Sequence, residues 1–261
     1  VELAGTFAEL RAHVLAKDFD NIDPTQARVI LIEGSPHVLG NYGKNLAESA
    51  REQLENLGVE VRTGRRVKNI RSRCVELDNG ESIFAENIIW GAGVIASPVT
   101  GNLGVETDRA GRVKVAPDLT VPGYPNVFVI GDMASVANPD GTPVPGVAPA
   151  AMQMARYVAR VIHEEVMFPG RVARRPFRYF DKGSMATIGR SAAVAKIKDF
   201  ELSGFFAWLA WLLVHLIFLV GFRNKVSVFF SWIYSYVTYK RGARIITGLQ
   251  EGCKTDLGDV I

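Results

Sequence analysis

The sequence has only two cysteines among its 261 residues, Cys74 and Cys253, and they lie far apart. There is no Cys-x-x-Cys pair, so the spacing typical of a zinc site or of a disulfide framework is missing. Both residues are therefore predicted to be free thiols in a reducing compartment, and no metal site is predicted.

The chain also lacks a strong excess of charge. Its 30 basic and 27 acidic residues leave a formal net charge of +3. The lysines and arginines are scattered rather than arranged in a stripe, which argues against a nucleic-acid partner. A small basic excess beside an apolar segment is more typical of a protein that meets an anionic membrane surface.

A third absence concerns glycine, since no Gly-x-Gly-x-x-Gly phosphate loop occurs in the sequence. The first residue is Val1 rather than an initiator methionine. Leu3, Phe7, Leu10 and Val14 already lie at helical spacing. We therefore expect an amphipathic helix at the first residues and a true start of the protein further upstream.

What is present is an alternation of helix and strand. Residues 28–33 and 59–63 are short apolar runs typical of strands, and residues 45–57 repeat apolar side chains at helical spacing. This order is typical of a parallel sheet with crossover helices, so the predicted fold class is α/β. Asn79-Gly80 predicts a hairpin, and residues 87–90 predict another buried strand.

Glu33 ends the first of these strands and follows the opening helix. In a dinucleotide-binding unit, an acid at this place accepts hydrogen bonds from the adenosine ribose and favours NADH over NADPH. A solvated acid at a strand end is the simpler alternative. Gly91-Ala92-Gly93 follows the strand predicted at 87–90 and would let the backbone approach a flat ligand closely.

Gly131-Asp132 follows a run of apolar residues that predicts a buried strand. Glycine permits a close approach at the strand end, and the carboxylate can accept hydrogen bonds from the hydroxyls of a ribityl chain. An aspartate that caps the next turn is the alternative interpretation.

A helix is predicted over residues 148–166, with Pro149 in its first turn. The start of a helix offers free N–H groups and a positive end to an electron-rich ring. The amide of Gln153 could hydrogen-bond a ring carbonyl, although a surface amide is the simpler interpretation. From the residues alone, Lys182 is interpreted as an ordinary turn lysine.

Two apolar stretches follow, at 204–222 and 226–239, and Lys240, Arg241 and Arg244 come after them. The first reaches the minimal length of a membrane span, whereas the second is too short and too polar. Three interpretations stay open: an interfacial anchor, a true span, and a buried core or dimer interface. The anchor is favoured, because both stretches are rich in aromatic residues and flanked by basic ones.

In this order the motifs resemble those of the type II NADH dehydrogenases, which are single-chain NADH:quinone oxidoreductases. Val1-Glu2 resembles the end of the family's NAD glycine motif, and Glu2 then matches a glutamate near the nicotinamide. Glu33 matches the acid at the adenosine ribose. Gly91, Ala92 and Gly93 match a second segment on the NAD side.

The resemblance continues on the flavin side, where Gly131 and Asp132 match the second FAD motif. Residues 148–153 match the family's quinone-site segment, in which Ala150 is expected at the flavin edge. Pro149 stands where the family has its first glutamine, so only Gln153 is carried over. Lys182 falls in the family's Asp-Lys-Gly stretch near the quinone pocket.

The resemblance implies three segments: a partial Rossmann-type NAD-binding domain (1–98), the carboxy-terminal portion of an FAD-binding domain (99–167) and an α+β membrane-association domain (168–261). It implies FAD and NADH as cofactors, a quinone as substrate and electron transfer without proton pumping. It also implies membrane contact through residues 204–240 and a possible homodimer. The expected location is peripheral, on the cytoplasmic face of a bacterial inner membrane or on a mitochondrial inner membrane.

Two alternatives stay open. A relative of the sulfide:quinone reductases would need a reactive cysteine pair, which the spacing of Cys74 and Cys253 does not provide. The chain could also be a membrane-docking fragment without activity, because the first flavin-binding half is absent from the sequence. We expect the isolated 261-residue chain to bind no FAD.

Overall fold

The computed structural model describes residues 1–17, 21, 23–170 and 173–238. Two compact units are present: unit 1 comprises residues 1–85 and the chain from residue 183 onward, and unit 2 comprises residues 86–182. Cys253 and the basic residues that follow the second apolar stretch, Lys240, Arg241 and Arg244, lie outside the described residues. The division into three functional segments stays a prediction, because the two units are defined by compactness alone.

The α-helices of the described residues are α1 (Glu2–Glu9), α2 (Lys44–Asn56), α3 (Ala148–Met167), α4 (Gly204–Phe218) and α5 (Phe222–Thr238). The strands are β1 (Val29–Glu33), β2 (Val59–Thr63), β3 (Val67–Arg71), β4 (Cys74–Leu77), β5 (Ser82–Phe84), β6 (Val113–Lys114), β7 (Thr120–Val121), β8 (Tyr124–Phe128), β9 (Ala134–Ser135), β10 (Ser184–Gly189), β11 (Ala192–Ile197) and β12 (Phe200–Ser203).

The first part of unit 1 confirms the predicted α/β wiring. β1 and β2 pair in parallel, with Val29 opposite Val59 and Glu33 opposite Thr63, and α2 connects them. The predicted hairpin is also confirmed: β4 and β5 are antiparallel, and Gly80 in their turn has a φ of 86°. A positive φ is easily adopted by glycine, which explains why Asn-Gly marks this turn.

The opening helix is confirmed as α1, but it does not bury the predicted side chains. Leu3 is 56% exposed, whereas Ala4, Gly5 and Ala8 are buried. The helix lies so close to β10 that a Cβ at position 5 would be 1.6 Å from the carbonyl oxygen of Ile188. The close approach of two backbones therefore selects small residues, not large apolar ones, for the inner side.

The carboxy-terminal part of unit 1 is an antiparallel sheet in the order β10-β11-β12, followed by α4 and α5. Ala207 of α4 is buried against Ala193 and Ala195 of β11. The apolar stretch 204–222 is not one continuous helix, because α4 ends at Phe218 and α5 begins at Phe222. Of the helices that the structure describes, none has both the length and the apolar character required to cross a membrane.

Unit 2 is organised around α3, which confirms the helix predicted over residues 148–166. Met154, Val158 and Val161 of this helix are buried in a core that also contains Val113 and Phe177. β6 and β9 pair in parallel, while β7 and β8 form an antiparallel pair. These short strands bring the turn at Gly131 to the amino-terminal end of α3, where a Cβ at Gly131 would contact Ala151.

Two strand predictions in unit 2 need correction. The strand before Gly131 was expected to be buried, but β8 ends at Phe128 and is largely exposed, and burial begins only at Val129. Residues 87–90 form no strand in the structure, and Trp90 is 65% exposed. A buried strand needs neighbouring strands on which to pair, and no described strand pairs with residues 87–90.

Candidate functional site

Glu33 lies at the carboxyl end of the parallel pair β1-β2. Its Oε1 accepts a hydrogen bond from the N–H of Ser35 at 2.8 Å, which orients the carboxylate. The chain after β2 runs beside this turn, since the N–H of Gly64 donates to the carbonyl of Ser35 at 2.9 Å. The edge of a parallel sheet beyond the carboxyl ends of its strands is where open α/β folds bind ligands.

An arginine that the sequence analysis did not single out lies at the same edge. The side chain of Arg66 passes over Gly34, with its Cγ 3.3 Å from the place where a Cβ of residue 34 would be. A larger residue at position 34 would therefore press on the Arg66 side chain. The two residues are distant in sequence, so only the pairing of the two strand ends brings Arg66 to this turn.

Glu2, the expected nicotinamide-side acid, is in the first turn of α1. Its Oε1 accepts from the N–H of Thr187 at 3.1 Å and from the Thr187 hydroxyl at 3.3 Å. Burial raises the pKa of Tyr42, and the negative charge of Glu2 raises it further. The acid is thus held by a residue of β10, 185 positions away, that no sequence pattern indicated.

Gly91, Ala92 and Gly93 lie in an exposed loop, and no described atom is within 4 Å of a Cβ built on either glycine, other than those of its chain neighbours. Gly93 has a φ of 115°, a conformation that favours glycine. The loop has the open backbone that a close ligand approach needs. Its expected role on the NAD side stays a prediction.

Gly131 and Asp132 form a short 3₁₀ turn after β8, and Gly131 has a φ of 68°. The Asp132 side chain is exposed and has no hydrogen bond to a described residue. A Cβ at Gly146 would lie 3.6 Å from its Oδ1, so a glycine there leaves space beside the carboxylate. The interpretation of Asp132 as a capping residue receives no support, because no described N–H donates to it.

Asp132 is near the start of α3, whose N-cap residue Val147 makes no side-chain capping bond. Pro149 occupies the first turn, as expected. Ala150 is 1% exposed, and its N–H donates to the carbonyl of Val147 at 3.0 Å. Ala150 therefore belongs to the core of unit 2, and its expected position at a flavin edge stays a prediction.

The amide of Gln153 is fully engaged with one backbone unit. Its Nε2 donates to the carbonyl of Phe180 at 3.0 Å, and its Oε1 accepts from the N–H of Phe180 at 2.9 Å. Phe180 lies two residues before Lys182, so the structure brings the two expected quinone-side residues to the same segment. Gln153 is not a free surface amide, because both of its polar atoms position that segment.

The exposed surface of α4 and α5 is strongly apolar. Phe206 and Leu213 of α4 and Phe230 of α5 are 70%, 57% and 63% exposed. Arg190, in the turn between β10 and β11, donates to the carbonyls of Ser235 and Tyr236, both at 3.1 Å. This arginine, also absent from the sequence-based predictions, connects the last turns of α5 to the sheet.

The described residues contain no group of three or more His, Cys, Asp or Glu side chains placed to hold a metal ion. Unit 1 instead offers an acceptor for hydroxyl groups at Glu33. Unit 2 offers another at Asp132, an open glycine loop at 91–93, and a segment before Lys182 that is bonded to Gln153. These are features of sites for large, hydroxyl-rich organic cofactors.

The chain is similar to known proteins in sequence and in fold. Residues 1–155 match the family model described as "Pyridine nucleotide-disulphide oxidoreductase", and residues 182–239 match that of the "NDH2 C-terminal domain". The chain is 45% identical to the type II NADH:quinone oxidoreductase Ndh of Mycobacterium tuberculosis, covering 98% of this chain and 56% of that protein. NdhA of the same organism is also 45% identical, over 95% of this chain and 54% of that protein.

Among solved structures, NDH2 from Plasmodium falciparum in complex with NADH has a TM-score of 0.83 at 17% identity. The similarity covers 94% of this chain and 65% of that one, and at this identity it shows the fold alone. The chain spans about half the length of the curated relatives that it matches. It belongs to the pyridine nucleotide-disulphide oxidoreductase family, in the branch of the type II NADH dehydrogenases.

Proposed function

We propose that this chain is the part of a type II NADH:quinone oxidoreductase that binds NADH and meets the quinone. Electrons pass from NADH through FAD to the quinone, and the reaction includes no proton pumping. The observation that carries the proposal is the edge of β1 and β2, where the Glu33 carboxylate is oriented by the Ser35 N–H. A carboxylate at this place accepts hydrogen bonds from ribose hydroxyls.

For NADH, the proposal assigns roles to residues of each unit taken separately. Glu33 binds the adenosine ribose, and the loop at 91–93 supplies open backbone on the NAD side. Glu2 lies toward the nicotinamide. Because the N–H and the hydroxyl of Thr187 both donate to Glu2, they fix the direction of its carboxylate.

The FAD assignment rests on the free carboxylate of Asp132, the positive φ of Gly131 and the uncapped start of α3. These residues fit the ribityl part of FAD, which needs acceptors for hydroxyl groups. When bound, FAD supplies the redox chemistry. The sequence has no Gly-x-Gly-x-x-Gly loop for the pyrophosphate, so the proposal assigns only the ribityl side of the cofactor to this chain.

At the quinone end, Lys182 is a cation close to the proposed substrate. The amide of Gln153 hydrogen-bonds both the N–H and the C=O of Phe180, and it thereby positions the segment that carries Lys182. Gln153 is accordingly a positioning residue in this proposal. Its amide would have to leave Phe180 to bind a quinone directly.

The proposed membrane contact is made by the exposed apolar side chains of α4 and α5, which lie flat in the interface of an inner membrane. The location is peripheral, on the cytoplasmic side in a bacterium. Phe206→Ser together with Phe230→Ser should weaken binding to lipid vesicles at least tenfold, because each phenylalanine contributes about 1.5–3 kcal/mol when buried. Co-sedimentation with vesicles measures the change.

The matched control is Ile70→Ser with Phe84→Ser, which removes two exposed apolar side chains elsewhere in unit 1. An equal loss in both double variants would contradict a specific role for α4 and α5. If the first pair instead converts a dimer to a monomer without changing vesicle binding, the surface is a dimer interface.

The nucleotide assignment is tested in the complete natural protein by Glu33→Gln. The amide cannot accept from both ribose hydroxyls as the carboxylate does, and it no longer repels a 2′-phosphate. We expect the ratio of kcat/KM for NADH over NADPH to fall about tenfold, which corresponds to about 1.4 kcal/mol. Glu52→Gln on α2 is the control, and an unchanged ratio in Glu33→Gln would remove the assignment.

A second candidate, a membrane-docking chain without redox activity, is favoured by the exposed apolar side chains of α4 and α5. On this alternative, the purified 261-residue chain binds vesicles but no flavin. Absorption spectroscopy after incubation with FAD decides the matter, since a stoichiometric flavin spectrum would contradict the alternative.

A further inference from the structure

Unit 2 has a cleft of about 330 Å³, and of its lining residues only Gln153 has a role in the proposed redox function. It lies between α3 and the segment 175–178. Four arginines line it, together with Gln153 and the aromatic side chains of Tyr157 and Phe177; the arginines are Arg156, Arg160, Arg175 and Arg178. No acidic residue lines it among those that the structure describes. Its volume is near the lower end for ligand sites, which is about 300 Å³.

The backbone of the cleft is held firmly in place. The hydroxyl of Tyr157 donates to the carbonyl of Arg175, and the N–H of Phe177 donates to the carbonyl of Pro117 at 2.7 Å. The rings of Tyr157 and Phe177 meet edge to face, with centroids 5.7 Å apart. Phe177 is buried, whereas its neighbour Arg178 lines the cleft together with Arg156 and Arg160 of α3.

Arg174, the neighbour of Arg175, is a largely buried arginine of this unit whose charge is balanced by ion pairs with two acids. Its Nη2 donates to Glu165 at 3.0 Å, and its Nη1 lies 3.2 Å from Asp118. In contrast, none of the four arginines of the cleft forms an ion pair with a described residue. The charge of Arg178 acts on Asp140, but the pKa of Asp140 is lowered chiefly by its hydrogen bonds to Thr142 and only in part by Arg178.

We propose that this cleft binds the phosphate group of an anionic lipid headgroup. Several arginine forks around one small cleft match a group with several charged oxygens, to which each fork can donate two parallel hydrogen bonds. The rim favours a lipid over a soluble phosphate. Phe180, whose backbone is bonded to Gln153 of the cleft, is 63% exposed, and Met152 beside Gln153 is 51% exposed. A cationic cleft with an apolar rim fits the boundary between headgroups and acyl chains.

The test compares vesicles of phosphatidylcholine alone with vesicles that also contain phosphatidylglycerol, using the complete natural protein. Arg156→Gln with Arg160→Gln should reduce the preference for the anionic vesicles roughly thirtyfold, equivalent to about 2 kcal/mol. Binding to neutral vesicles should not change. The control, Lys68→Gln with Arg109→Gln, removes the same charge from exposed sites outside the cleft and should have little effect.

Arg156→Lys with Arg160→Lys keeps the charge but removes the planar fork, so it should lose part of the preference. Thermal unfolding of each variant verifies its fold, and Arg178→Gln replaces the first pair if that pair unfolds. Equal losses in the cleft variant and in the control would overturn the proposal, as would unchanged binding in both.

Two further measurements separate the possible occupants. Inorganic phosphate is titrated against the vesicle-bound protein at constant ionic strength. Displacement by phosphate and saturable binding of phosphate alone, both lost in Arg156→Gln with Arg160→Gln, would identify free phosphate as the source. Displacement by polyglutamate at least as effective as by phosphate would overturn phosphate recognition, because it would show that the cleft binds acidic peptides.

Discussion

The two compact units hold their elements together by different means. In unit 1, α1 packs on β10 through a glycine without a side chain, and its two acids, Glu2 and Glu9, accept from backbone N–H groups of Thr187 and Arg190. In unit 2, the segment after α3 is held by side chains of α3 and nearby loops. The partners in unit 1 are about 185 positions apart, whereas Gln153 and Phe180 are separated by 27.

This difference decides which parts of the site appear as sequence motifs. The turn at Gly131-Asp132, the start of α3 and Gln153 follow one another along the chain, so a continuous sequence motif predicts them. The orientation of Glu2 depends on β10, which is distant in sequence, so no continuous motif can predict it. We therefore test one contact in each unit: the close backbone approach of α1 to β10 in unit 1, and the charged hydrogen bonds of Arg174 in unit 2.

The largest expected effect is that of Gly5→Ala, which tests the backbone contact in unit 1. The added methyl group would lie 1.6 Å from the carbonyl oxygen of Ile188, so α1 and β10 have to separate. We expect a loss of about 3 kcal/mol or more in the free energy of unfolding, the upper part of the range for overpacking. Hydrogen exchange of β10 amides should rise, while that of α3 amides in unit 2 should not.

Gly40→Ala is the matched control, because no atom lies within 4 Å of the added methyl group. Its effect should stay within about 0.5 kcal/mol. If the two variants had equal stability, the close contact of α1 with β10 would be wrong. Unit 1 would then no longer differ from unit 2 by a close contact between two backbones.

The α/β order of unit 1, the hairpin at Asn79-Gly80 and α3 could be predicted, because each depends on periodicity or on a turn residue. The buried side of α1 could not be predicted. The helical spacing of large apolar residues suggested that Leu3 is buried, but the narrow space between α1 and β10 admits only small residues such as Ala4 and Gly5. The strand predicted at residues 87–90 is wrong for a related reason. An apolar run favours a buried strand, but a strand forms only where a neighbouring strand can pair with it. Arg66, Thr187 and Arg190 were missed because the backbone brings them to their partners from distant positions.

The second effect in size concerns the charged network of unit 2. Arg174 is 17% exposed and bonded to Glu165 and Asp118, and its guanidinium also lies over the ring of Phe128 at 5.1 Å. Arg174→Met should lower the free energy of unfolding by about 2 kcal/mol at neutral pH, because charged hydrogen bonds are lost. Arg109→Met, an exposed arginine of the same unit, is the control and should have little effect.

The network also predicts a pH dependence with a definite sign. The hydrogen bond from Arg174 lowers the pKa of Glu165 below its ordinary 4.5. A carboxyl group with a lowered pKa in the folded state contributes stability above its unfolded pKa and loses it as the pH falls through its folded pKa. The gap between the wild-type chain and Arg174→Met should therefore narrow below about pH 4.5, as urea titrations at several pH values would show. A gap that widens on acidification would contradict the assignment.

The smallest expected effect tests whether the long-range contacts of unit 1 extend to α5. The backbone N–H of Arg190 donates to the carboxylate of Glu9, and its guanidinium donates to carbonyls in the last turns of α5. The guanidinium carbon lies 5.0 Å from the centre of the Tyr236 ring. A cation at the carboxyl end of a helix also interacts favourably with the helix dipole. Arg190→Gln should therefore reduce local stability by about 1 kcal/mol, measured as faster hydrogen exchange of α5 amides.

Arg223→Gln is a control of equal charge at the opposite end of the same helix, where a cation is unfavourable to the dipole. It should leave the exchange of α5 unchanged or slow it slightly. If the two variants had the same effect, Arg190 would act only through its overall charge. The contacts that run from Glu9 of α1 through Arg190 to α5 would then not stabilise α5. If only Arg190→Gln acts, a helix with a largely apolar exposed surface is positioned by the same sheet that orients Glu2.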